Sequence, residues 1–350
     1  MAKRIPVSIL GATGTVGQKF VRLLADHPWF EVAAVAASSG SAGKSYREAA
    51  RWRETVPVPP SIAELIVQEC TPPVPGLIVF SALDAEVAGP IEQEFARAGA
   101  IVVTNARTHR MDPDVPLLIP EVNANHVELL GCQRERRGWN GAILANPNCS
   151  TAALALALAP LHRAFTIDRL FISTMQAVSG AGYPGVASLD IVGNVIPYIG
   201  GEEEKIERES RKILGTLSNG IVEPAEFMVS AHTNRVPVVD GHMITISVGF
   251  VDRVSPDDAA EVIRTFRGPD LVATLPSSPN PPLELDTRID RPQPRLDIDR
   301  GHGMAVTVGR LRSCPMLDLR LVVLGHNTVR GAAGQGVQIA ELLVVDEQRG

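Results

Sequence analysis

An apolar run, Ile5–Leu10, meets Gly11-Ala12-Thr13-Gly14-Thr15-Val16-Gly17 and then a helical pattern through Phe20, Leu23 and Leu24. No other stretch restricts the fold as much. A strand, a glycine turn and a helix in that order can cradle a pyrophosphate on the helix N-terminus, where backbone N–H groups lack partners and glycines let the chain approach closely. A tight turn without a ligand is the plainer alternative. The elements on both sides favour a dinucleotide, with Gly11, Thr13, Gly14, Thr15 and Val16 around it.

The next strands fit that start. Residues 31–37, 77–80 and 100–104 are apolar runs, with a helical segment near 87–98 between the last two. Strands alternating with helices imply a parallel, doubly wound sheet, so the first half reads as a Rossmann-like α/β domain. The second strand ends in Ser38-Ser39-Gly40-Ser41-Ala42-Gly43-Lys44 rather than in the acidic residue that takes an NAD ribose. Those hydroxyls and Lys44 suit a 2′-phosphate, which makes NADP the expected cofactor and NAD the alternative. Ser81 and Asn105 end strands on the side where ligands bind in such sheets. Arg107 and Arg110 follow in a loop where either could receive an anion. Residues 131–141 read as a polar excursion before a strand at 142–145.

The chemistry is expected at Asn146-Pro147-Asn148-Cys149-Ser150-Thr151. Proline and asparagine end the strand, and the alanine-rich run at 152–158 starts a helix, so Cys149 sits at the first turn. That end of a helix favours an anion and lowers a thiol pKa from about 8.5, which raises the nucleophilic thiolate. A buried, inert cysteine is the bland alternative. The other cysteines, Cys70, Cys132 and Cys314, form no CxxC pair, which argues against a zinc site or a disulfide framework, and no metal is expected.

From residue 165 the texture turns β-rich, with runs at 167–178, 227–234, 242–251, 304–311 and 317–324. They predict a mostly antiparallel sheet with helices to one side, an α+β domain whose sheet could pair with a second copy. Ser179-Gly180-Ala181-Gly182 opens a flexible loop. Residues 202–212 are strongly charged, and charge pattern alone reads them as a solvated helix face. Arg235 and His242 flank a short apolar run, where an arginine can hold a carboxylate and a histidine can relay protons. A proline-rich connection fills 276–294, and 327–345 reads as a closing helix. The division is 1–148 for the dinucleotide, 149–326 for catalysis and dimerisation, and 327–350 returning to the first domain. At 350 residues, 45% hydrophobic and 21% charged, the chain can fill two domains, each with its own core. A net charge of −6 and scattered arginines exclude a nucleic-acid footprint. The absence of a long apolar run and of a signal-peptide layout at residues 1–5 makes a cytoplasmic protein the expectation.

Taken together, the glycine loop, Asn146-Pro147-Asn148-Cys149-Ser150-Thr151 and Arg235-Val236-Pro237-Val238-Val239-Asp240-Gly241-His242 resemble the aspartate-semialdehyde dehydrogenase family. Arg137-Gly138-Trp139, residues 198–205, Arg291-Pro292-Gln293-Pro294-Arg295 and 301–303 look like its archaeal and fungal branch. The resemblance covers almost the whole chain. It implies Cys149 as nucleophile, His242 as acid/base and Gln176 as the residue that orients the acyl intermediate. It also implies that Arg235 grips the substrate carboxylate, Glu202 the amine, and Lys205 with Arg110 the phosphate, with Asn148 beside them. It overrides the solvated-face reading of 202–212. Thr13, Gly14, Thr15, Val16, Ser38, Ser39, Ser81, Ser179, Gly180 and Asn327 would line the NADP site, with Gly11, Ser41, Lys44 and Asn105 alongside. Relatives often carry a cation where this chain has Gly40, which keeps NAD in play. The implied reaction converts aspartyl phosphate to aspartate semialdehyde through a cysteine thioester in a homodimer or homotetramer. The alternatives are a malonyl-coenzyme A reductase on the same scaffold or a catalytically silent nucleotide-binding scaffold.

Overall fold

The computed structural model describes residues 4–347. Its first sheet is built from β1 (Ile5–Leu10), β2 (Phe30–Ala37), β3 (Gln68–Glu69), β4 (Ile78–Ser81), β5 (Ile101–Thr104) and β6 (Ala142–Ala145), in the order β3-β2-β1-β4-β5-β6. All five pairings are parallel. The strand order reverses between β1 and β4, which opens a crevice at their carboxyl ends. β4, β5 and β6 are buried along their whole length, as expected of strands covered on both faces.

The second sheet contains β7 (Ile167–Gln176), β10 (Met228–Arg235), β11 (His242–Phe250), β12 (Leu283–Asp286), β13 (Val306–Ser313) and β14 (Leu319–Gly325), in the order β10-β7-β11-β14-β13-β12, while β8 (Thr216–Ser218) and β9 (Ile221–Glu223) form a separate hairpin. Its central pairings are antiparallel, but β10 on β7 and β12 on β13 are parallel. The sheet is therefore mostly antiparallel, as expected, with a parallel pair at each edge. β7 alternates inward residues with outward ones such as Phe171, leaving one face open.

The helix Cys149–Phe165 lies between the two sheets. Its Ala-Leu repeat has no polar face, so it is buried from Ser150 to Leu161. A single apolar core runs from one face of the first sheet, through Leu154 and Leu158, to Ile172, Ile246 and Val323 of the second. The halves share that core, and the first half has a second one of its own. On the other face of the first sheet, Phe20 and Val21 pack with Val337, Ile339 and Leu343 of the closing helix Gly334–Glu347.

Two stretches differ from expectation. Residues 131–141 are largely the helix Leu129–Arg137, ended by Gly138 in the left-handed conformation (φ 63). The closing helix begins at Gly334, after a π-helical turn, Val329–Ala333, in which Ala332 is far from helical geometry. Residues 1–3 and 348–350 of the expected domain spans lie outside the described residues. No helix among the described residues is long and apolar enough to cross a membrane.

Candidate functional site

Asn148 starts the helix Cys149–Phe165. Its Oδ1 accepts the N–H groups of Ser150 (3.0 Å) and Thr151 (3.3 Å), and its Nδ2 donates to Glu202 (2.8 Å). Cys149 is thereby held at the first turn, and its Sγ lies 3.1 Å from Nε2 of His242 at the head of β11. The Ala177 N–H donates to His242 Nδ1 at 3.1 Å. A ring nitrogen that accepts carries no proton, so the neutral imidazole keeps its hydrogen on Nε2, facing the sulfur.

The expected acidic thiol is not what the surroundings produce. Burial pushes Cys149 up to about 12 and Glu202 adds to the push, while Arg110, Arg235 and the Ser150 N–H pull the other way. Burial also drives His242 down to about 3, helped by the charges of Arg235 and His326. Desolvation outweighs the helix terminus here and favours the neutral forms of both groups.

The expected substrate residues converge on the same point. Gln176 and Arg235 are register partners at the carboxyl ends of the parallel pair β7 and β10. Arg235 Nη1 donates to Ala177 O at 2.7 Å. Burial opposes the Glu202 carboxylate, yet Lys205 at 2.5 Å and bonds from Asn148 and Gln176 bring it below the ordinary carboxylate range. The Gln176 amide reaches Glu202 only at 3.4 Å, which leaves it loosely held. Arg110 is buried, with Nη1 on Glu209 (2.9 Å) and Nη2 on Asn105 O (2.8 Å), whereas Arg107 is exposed at the rim. The charged helix Glu202–Ile213 thus buries Glu202, Glu209 and Lys212, against the solvated reading of its charges.

Cys149, Gln176, Arg235, Glu202, Lys205 and Arg110 line a cavity of about 490 Å³ with Thr15, Val16 and Asn105 of the first half and Ser179, Gly180 and Asn327 of the second. A Cβ on Gly180 would lie 2.9 Å from Arg235 Nη1 and 3.0 Å from His242 Cε1, so only glycine lets that loop lie on the pair. Asn327 ties the loop down, donating to Ser179 Oγ (2.7 Å) and accepting the Gly241 N–H (2.8 Å).

The dinucleotide end fits its ligand class. Gly14 caps the helix Thr15–Leu24 without any side chain, leaving its first N–H groups bare. Gly11 holds φ 68, and a Cβ there would strike Ala82 O at 2.5 Å. Thr13 O accepts from Gln18, which fixes the loop. Ser38 and Ser39 are exposed past β2 and Ser41 is half-buried; Lys44 Nζ is held by Gly40 O at 2.8 Å. Ser81 does not join them. It is fully buried, and its hydroxyl donates to Glu92 at 2.6 Å, because its position on β4 turns it into the sheet–helix layer.

Several residues escaped the sequence reading. Gly331 lies against Cys149, where a Cβ would meet the cysteine Cβ at 2.6 Å. The Ala177 amide fixes the histidine. Glu209 and Lys212 continue Glu202 and Lys205 along one helix face, and that 3-4-3 spacing was a readable signal.

Comparison with known proteins follows this geometry. The description "Semialdehyde dehydrogenase, NAD binding domain" matches residues 6–130. "Semialdehyde dehydrogenase, dimerisation domain" matches residues 158–330. An aspartate-semialdehyde dehydrogenase of Methanothermobacter thermautotrophicus is 50% identical over 343 residues, 97% of this chain and 99% of that one. The crystal structure of aspartate semialdehyde dehydrogenase with NADP from Candida albicans superposes with a TM-score of 0.90 at 43% identity, covering 97% and 98% of the two chains. Aspartate semialdehyde dehydrogenase II of Vibrio cholerae, complexed with ASA, is similar at a TM-score of 0.79 and 27% identity, over 99% of each chain.

Proposed function

The chain belongs to the aspartate-semialdehyde dehydrogenase family, and from that premise we propose how its own residues carry the reaction, the reductive dephosphorylation of aspartyl phosphate to aspartate semialdehyde. NADP, which would supply the hydride as NADPH, would be held by the glycine loop, with Ser38, Ser39, Ser41 and Lys44 to receive its 2′-phosphate. Thr15, Val16, Asn105, Ser179, Gly180 and Asn327 line its path.

Arg235 takes the substrate carboxylate, Glu202 its amine, and Lys205 with Arg110 its phosphate. Cys149 attacks the acyl carbon; a C–S bond forms, the C–O bond to phosphate breaks, and the thiol proton leaves with phosphate. Gln176 and donors at the helix start hold the acyl oxygen. The Nε2–H of His242 is aimed to hydrogen-bond that oxygen and the sulfur as negative charge grows on each, and one proton from solvent restores the thiol when the C–S bond breaks. In reverse, phosphate opens the same thioester.

The observation that carries this reading is the 3.1 Å contact of Cys149 with the buried His242, Cys149 itself lining one cavity with Arg235, Glu202, Thr15 and Val16. The malonyl-coenzyme A alternative and the silent scaffold gain no support from the likenesses above. Dimerisation through the open face of the second sheet, where Phe171, Met228 and Met316 are exposed, accords with the family description. The test is phosphate-dependent reduction of NADP, and separately of NAD, by aspartate semialdehyde. Wild type should need phosphate and prefer NADP, and Cys149→Ala should be inactive. A phosphate-independent rate, or activity surviving in Cys149→Ala, would overturn the mechanism.

A further inference from the structure

Glu209 lies outside the set of residues assigned to substrate, yet it touches both sides of the site. Its Oε1 accepts from Arg110 Nη1 at 2.9 Å and its Oε2 accepts the Asn148 N–H at 2.6 Å. One buried carboxylate on the helix Glu202–Ile213 thus grips the guanidinium assigned to phosphate and the residue that caps the nucleophile helix. Three residues on, Lys212 Nζ donates to the carbonyls of Arg110 (2.8 Å), Asp112 (2.7 Å) and Val115 (2.8 Å), pinning the backbone of the same loop. Arg110 belongs to the first half of the chain, but its place is set by a helix of the second.

We propose that Glu209 is a positioning residue that sets Arg110 in fixed register with Cys149, so that phosphate is received where the thioester forms. The proposal rests on Arg110 binding phosphate. Its chemistry is specific to a carboxylate. Both partners of Glu209 are donors, and a carboxylate can accept from both, whereas an amide has one accepting atom and would turn its NH₂ group on the other donor. Glu209→Gln keeps the shape and must lose one of the two bonds. A guanidinium freed from its register meets phosphate in many orientations instead of one.

The experiment measures KM for phosphate, KM for aspartate semialdehyde and kcat in the oxidative direction for wild type, Glu209→Gln, Arg110→Gln and the double variant, with melting temperatures alongside. Arg110→Gln should raise the phosphate KM. Glu209→Gln should raise it about tenfold, with the aldehyde KM unchanged and kcat reduced less. Glu209→Gln should add nothing to the phosphate KM in the Arg110→Gln background, because it acts through that arginine. The double variant removes both charges together, so it stays informative if a single variant is too unstable to assay. A Glu209→Gln phosphate KM that is unchanged or lower, or an effect that persists without Arg110, would overturn the positioning role. An unchanged phosphate KM in Arg110→Gln would instead overturn the assignment of Arg110, and this proposal with it.

Discussion

The two ends of the cavity are built by different means. At the cysteine end, the working groups are buried polar side chains fixed by hydrogen bonds: Asn148 by Glu202 and Glu209, and Arg235 and His242 by the carbonyl and the N–H of Ala177. They are buried, so a lost partner is not replaced by water. At the dinucleotide end the work falls to backbone: Gly11 at positive φ, a bare helix start at Gly14, and hydroxyls on an exposed loop. A site made from buried side chains should fail at single positions. One made from backbone and exposed hydroxyls should degrade by degrees.

The contrast can be broken at three places. The largest effect is expected from His242→Asn, which leaves an acceptor near the Ala177 N–H but removes Nε2–H. Turnover should fall by about 10²- to 10⁴-fold with little change in cofactor KM. Steady-state kinetics that found kcat intact would mean the histidine only packs.

Next comes Gly180→Ala, where the new Cβ meets Arg235 and His242. Displacement of either by about 1 Å should cost up to about 100-fold in kcat/KM for the aldehyde. If instead only the NADP KM moved, Gly180 would belong to the cofactor end.

The smallest effect is expected from Ser39→Asp on the exposed loop. A carboxylate there should lower kcat/KM for NADP about fivefold and leave NAD nearly unaffected, and added salt should shrink the difference. A loss as large as that of His242→Asn would erase the distinction between the two ends.

The same contrast explains what could be read from the chain. Cys149 was legible because Asn-Pro-Asn ends a strand and an alanine run starts a helix. The glycine loop was legible because positive φ and close approach leave few other residues possible. Ser81 was misread since Ile78–Ser81 is buried on both faces, so its apolar run has no alternation from which to tell which way the serine points. The acidity of Cys149 was misjudged because the helix terminus is local and visible, while the burial that outweighs it comes from distant segments. The closing helix was placed seven residues too early: its break at Val329–Ala333 is imposed by the seating of Gly331 on Cys149, a contact between positions far apart in sequence. The helix Leu129–Arg137 was missed because Gly131 within it and Gly138 after it read as loop, although Gly138 is an ordinary helix terminator.

The closing helix also bears on the order in which the protein can be made. Phe20, Val21 and their neighbours are sealed by Val337, Ile339 and Leu343, and the buried Arg330 pairs with Glu121 at 2.7 Å. During synthesis the dinucleotide half therefore emerges with an apolar face uncovered, and its lid is translated some two hundred residues after Glu121. On a ribosome adding about 5 to 20 residues per second, that face waits for tens of seconds at the slower rate. Chaperone demand during translation should fall on this half, and it should end when residues 330–343 arrive.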